Sequence, residues 1–238
     1  MAKARFHLEP ALVEEAVFQC FHAQAHPADE WRWNREREEV YLLPAAERTG
    51  AFGALSLRWF RNLGFEALLE RCLERVPHVR AGVLELRLER APGPRAEGSE
   101  VFRGEQGLRL ELSITAARFA DPAGLEALLL HELLRAEDML DPAFAYRAEL
   151  GPDLVRGEPR AELVRDRLRA LWELRLAGRT ARLLGRECGG LEQRNLERAF
   201  ADHSSDELAE LAARAVGGEL ACFSELLETA RTDLVRAS

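Results

Sequence analysis

The chain has 238 residues, 47% of them apolar, and a formal net charge of −8. That length suits one domain with a sizeable core, or one domain carrying a helical appendage. Lys and Arg number 33 against 41 Asp and Glu. They are intermixed along the chain, with Lys3 the one lysine, so no basic face recommends nucleic acid. Apolar runs such as "ALLL" fall far short of the roughly 20 residues of a membrane span. The opening "MAKARFHLEPALVEE" has no signal-peptide core. The expectation is a soluble, cytoplasmic protein with no membrane partner. Cys20, Cys72, Cys188 and Cys222 lie far apart without CxxC spacing, and read as reduced, structural thiols.

In chain order, "EPALVEEAVFQCFHAQAH" repeats Leu12, Val13, Ala16, Val17, Cys20 and Phe21 at helical spacing, and the pattern closes at Pro27. "DEWRWNREREEVYLLP" is mixed, with a short strand expected at Val40 to Leu43. Two helical segments follow, "AFGALSLRWFRNLG" and "FEALLERCLERVP", broken near Gly64 and ended before Pro77. The period then changes to two. "AGVLELRLERA" sets Leu84, Leu86 and Leu88 against Val83, Glu85, Arg87 and Glu89, and "GLRLELSI" places Leu108, Leu110, Leu112 and Ile114 on one face. "PGPRAEGSE" between them reads as a loop. A helix opens after Asp121 and Pro122 and runs to about residue 140.

Beyond "LDPAFAYRAELGPDLVRGEP" the pattern is helical to the end. "RAELVRDRLRALWELRLAGR" carries Val164, Leu168, Leu171 and Trp172 on one stripe, with Gly178 as its stop, and three more helices follow, the middle one opened by Ser204 or Ser205. The division expected is an α+β domain over 1–150, mainly helical with a short β-sheet, and a helical part over 151–238 packed on it.

The helix of about 122–140 is the informative one. Leu125, Ala127 to Leu130, Leu133, Leu134, Ala136, Met139 and Leu140 make it apolar on most sides, which predicts burial on most sides. Its polar residues follow one edge: His131, Arg135 and Asp138 at spacings of four and three, with Glu132 three before Arg135. Burying such groups costs several kcal/mol each unless they are paired, hydrated or metal-bound. In an HExxH zinc site, two histidines one turn apart direct ring nitrogens at the metal and the glutamate polarises the bound water. His131 and Glu132 fit the first half of that pattern. Arg135 does not fit the second, because a guanidinium stays protonated and has no lone pair to donate.

The order of strand, strand and motif helix resembles the zincin class of metallopeptidases. The stretch "HELLRAEDMLDPAFAY" is similar to a bacterial zincin-like group whose motif reads HELxHxxDMLDPxFGY. His131, Glu132, Leu133, Asp138, Met139, Leu140, Asp141, Pro142, Phe144 and Tyr146 match it, and Arg135 and Ala145 depart from it. "EGSEVF" (Glu97 to Phe102) and "LVRDRLRALWELRLAGRTAR" are weaker matches, so the resemblance covers about residues 80–185. It implies a zincin-like fold and an ancestral site in which His131, position 135 and Asp138 held zinc and Glu132 served as general base. It does not imply activity, since one ligand has become a cation. Arg135 can replace the metal's charge beside Glu132 and Asp138 through forked hydrogen bonds, leaving a pocket that is satisfied and inert.

Three functions compete on these grounds. The first is a degenerate zincin, a pseudoenzyme without cofactor, that binds a peptide or protein partner along the edge of the Gly107 to Ile114 strand. The second is an active metal-dependent hydrolase that holds zinc through His131, Asp138 and a remote ligand such as His203 or His26. The third is a plain helical interaction protein. Tyr146 is a candidate oxyanion donor in a working zincin. His22 and His26 share a metal-capable spacing, and Cys188 stands just before a helix start. Oligomeric state is not legible.

Overall fold

The computed structural model describes residues 5–23, 27–104, 107–151, 154–188 and 190–232. The order is β1 (Arg5–Leu8), α1 (Pro10–His22), α2 (Pro27–Tyr41), α3 (Ala45–Asn62), α4 (Phe65–Leu73), α5 (Pro77–Gly82), β2 (Val83–Arg90), β3 (Gly98–Gly104), β4 (Gly107–Ile114), α6 (Pro122–Leu140), α7 (Pro159–Leu184), α8 (Gly190–Ala199), α9 (Ser205–Gly217) and α10 (Phe223–Arg231). The protein is mainly helical with one small mixed sheet, an α+β chain. It divides into two compact units, residues 1–136 and 137–238, so the division falls inside α6; the sequence suggested residue 150. No helix of the described residues is long and apolar enough to cross a membrane.

In the first unit the strands of the described residues run in the order β1-β2-β4-β3. β1 and β4 flank β2 in parallel, and β3 pairs antiparallel with β4. Leu86, Leu88, Leu110, Leu112 and Ile114 form the buried face of the sheet. Glu85, Arg87, Glu89, Arg109 and Glu111 alternate with them and stay half-exposed, as a sheet with one covered face requires. The strict alternation read for β2 breaks at its start. The pairing register shifts between Val83 and Glu85, so Val83 is buried with Leu86 while Leu84 turns outward.

Several local expectations give way here. Val40 to Leu43 is no strand: α2 runs to Tyr41 and a turn follows. α2 hides from pattern reading because only Trp33 and Val40 of its described side chains are buried, leaving charged residues on nearly every side. α1 ends at His22, and Pro27 opens α2 from the first helical position that proline favours. Gly98 to Glu100 leave the supposed loop to open β3, and β4 is therefore interior, paired on both sides. Among the described residues the free edge beside it belongs to β3, not to the Gly107 to Ile114 strand.

The second unit is a helical cluster around α7, with Val164, Leu168, Leu171, Leu174, Leu196, Phe200, Leu211, Phe223 and Leu226 in its core. Gly178 does not stop α7. The helix continues to Leu184 and ends on Gly185, whose φ of 64° is the left-handed cap expected at that position. Gly178 instead lets α9 approach: a Cβ there would lie 2.8 Å from the Val216 carbonyl oxygen. α9 opens with a capping box in which Ser204 and Glu207 satisfy each other's backbone N–H groups.

Candidate functional site

α6 sets the polar edge read from the sequence on a helix whose other faces are buried through Leu125, Leu129, Leu130, Leu133 and Leu134. In the first unit, Glu132 is buried, and its Oε2 accepts from two donors. Arg135 Nη1 lies at 2.8 Å and the Ser99 hydroxyl of β3 at 2.9 Å. The second guanidinium nitrogen of Arg135 comes to 3.4 Å from His131 Nε2, an approach that becomes a hydrogen bond when that nitrogen carries no proton. One cation thus faces both groups that the HExxH pattern would turn toward a metal. This donor set does not fit zinc, because the guanidinium already engages the Glu132 carboxylate and lies against Nε2. Among the described residues no group of three or more His, Cys, Asp or Glu side chains is placed to hold a metal ion.

A cavity of about 400 Å³ opens beside Arg135, lined also by Glu97, Gly98, Ser99 and Glu100 at the start of β3 and by Glu111 and Ser113 of β4. Glu97 anchors this corner through a forked pair with Arg118, whose Nη2 lies at 2.7 Å, and through the Thr115 hydroxyl at 2.6 Å. Burial pushes the Glu97 carboxyl upward, but Arg118 and Thr115 outweigh it and hold the group below its ordinary value.

Asp138 belongs to the second unit and is bound there by α7. Its carboxylate, 2% exposed, accepts from Arg175 Nη1 at 2.5 Å, from Arg179 Nη1, and from the Trp172 indole at 2.9 Å. Burial lowers the Arg175 pKa and Asp138 raises it in return, while the nearby positive charge of Arg179 lowers it further. Arg175 also donates to the Leu220 carbonyl and stacks its guanidinium over the Phe144 ring. The sequence placed Asp138 in the charge row of its own helix and gave it a metal; its partners Arg175 and Arg179 lie 37 and 41 residues further on, beyond the reach of helical spacing.

The remaining candidates have local roles. His22 stacks on Phe18 at the end of α1, and His26 lies outside the described residues. His203 sits beside Asp202 at 3.2 Å, and Asp202 holds the buried Arg167. Tyr146 packs with Trp172 and Phe223, and Cys188 is half-buried against the second unit's core. Asp141 turns the chain after α6 by accepting from the Ala143 N–H at 2.8 Å. Two residues later Ala145 adopts φ 55°, the one non-glycine residue among those described with positive φ.

No protein-family model, no curated protein and no solved structure matches this chain.

Proposed function

We propose that the protein is a zincin-like chain whose metal site has lapsed, and that it serves as a non-catalytic binding or scaffolding protein. The observation that carries this reading is the guanidinium of Arg135, one turn after His131, bonded to the glutamate that follows that histidine. It supplies positive charge beside Glu132 where a metal would otherwise be required, and it holds no water acidified for attack. A second support is the backbone at Ala145. Its left-handed φ is a conformation that suits glycine, and glycine is what the resembled motif carries there. The strand pair of β3 and β4, with Ser99 bonded to Glu132, counts against a plain helical module.

In this reading the working surface is the cavity between β3 and Arg135, and the partner is a peptide or protein segment that adds to the free edge of β3. Asp138 is a structural clasp and no part of a donor set. The test is the metal content and peptidase activity of the full chain purified without chelator. The expected result is no stoichiometric zinc and no cleavage of casein. Chelator-sensitive cleavage that Glu132→Gln abolishes would establish the active hydrolase instead.

A further inference from the structure

The first unit holds a second cavity, which shares no residue with the one beside Arg135. Its volume is about 330 Å³, and its lining comes from α1 (Ala11, Glu14, Glu15, Phe18), α2 (Trp33, Arg37), α3 (Phe52, Leu55, Ser56) and Arg90 of β2. Trp33 stacks on Phe21 with ring centroids 4.8 Å apart, and the Arg37 guanidinium lies 4.5 Å from the Trp33 ring. A guanidinium held by its face keeps its in-plane N–H donors available, and Arg37 forms no hydrogen bond or ion pair among the described residues. Ser56 is 7% exposed and lines the cavity, and its hydroxyl too has no partner among the described residues. That hydroxyl is not sealed from solvent, so at the cavity wall it is open to a ligand's polar atom.

The charges narrow the chemistry. Glu15 is neutralised by Arg90 at 2.8 Å, which leaves Arg37 and Glu14 as the unpaired charges of the wall. Phe18, Trp33, Phe52 and Leu55 supply an apolar floor. The volume is at the small end of the range for ligand sites, where a few placed polar groups orient a mostly apolar ligand.

We propose that this cavity binds a free amino acid with an aromatic or branched apolar side chain. The carboxylate meets the in-plane donors of Arg37, the ammonium meets Glu14, and the side chain lies on the aromatic floor with Ser56 donating to the carboxylate. The site is independent of the lapsed metal site and of the function assigned to it.

Calorimetric titration of the full chain with L-phenylalanine, L-leucine, glycine, 3-phenylpropionate and phenethylamine tests the assignment. The two apolar amino acids are expected to bind, and glycine, which lacks the side chain, is expected not to. The two probes that carry a single charge are expected to bind about tenfold more weakly or worse, the loss of one charge-assisted contact. Arg37→Gln should weaken L-phenylalanine by about tenfold or more and abolish its advantage over phenethylamine. Ala11→Trp, which fills the cavity and leaves Arg37 in place, should abolish binding. Failure of both apolar amino acids to bind the wild-type chain at millimolar concentration overturns the proposal, as does binding that survives Ala11→Trp unchanged.

Discussion

Glu132 and Asp138 are both buried carboxylates on α6, and they are satisfied in opposite ways. Glu132 takes its cation from its own helix, three residues on, and its long-range partner is the neutral hydroxyl of Ser99. Asp138 takes two cations and an indole N–H from α7. The first arrangement is local and can form with the helix itself. The second exists only once α7 has docked, so Asp138 ties the last turn of α6 to the central helix of the second unit. The polar edge that the sequence presents as one row is therefore two devices, a local ion pair at Glu132 and a structural clasp at Asp138.

The largest effect should come from breaking the clasp. Asp138→Ala strands two guanidiniums, one of them buried, without a counter-charge, and should cost about 3–5 kcal/mol in denaturant unfolding. Arg135→Ala should cost less, about 2 kcal/mol, because Glu132 keeps the Ser99 hydroxyl and the position is half-exposed, so water can replace the lost donor. Equal losses at the two positions would erase the distinction between them.

A smaller change probes α7, which carries both arginines of the clasp. Gly178→Ala places a Cβ against the Val216 backbone, 2.8 Å from its oxygen and 2.9 Å from its Cα, so α9 must shift. The expected loss is about 1–2 kcal/mol, read as a lower melting temperature. An interior helix glycine with no such close approach would make the alanine neutral or stabilising.

Ala145 is the other departure from the resembled motif, and here the reverse substitution should help. The alanine holds a left-handed backbone that disfavours a Cβ, so Ala145→Gly should stabilise by about 0.5 kcal/mol after the added freedom of the unfolded chain is counted. An unchanged or lowered melting temperature would mean that position 145 carries no such strain.

Much of this was legible in the sequence, and the misses have physical causes. Period-two runs placed β2 and β4, and the continuous apolar run placed α6 with its start at Pro122. β1 spans only four residues, and β3 is bounded by Gly98 and Gly104, so neither offers enough alternation to be told from a loop. α2 buries too few side chains to show a helical stripe. At the site, the pairing of Glu132 with Arg135 follows from a spacing of three on one helix, as read. Ser99 and the α7 arginines do not follow from any spacing, because tertiary packing brings them in from 33 to 41 residues away.

Zinc titration of Arg135→His beside the wild-type chain asks whether Arg135 occupies the place of a lost metal ligand. The substitution removes the competing cation and sets two imidazoles one turn apart on α6, oriented before any metal arrives. The variant should bind one equivalent of zinc, its melting temperature should rise with zinc as native-state binding requires, and His131→Ala in the same background should abolish both, while the wild type takes up none. Zinc binding by the wild type equal to that of the variant, or its absence from both, would mean that Arg135 stands in no metal ligand's place.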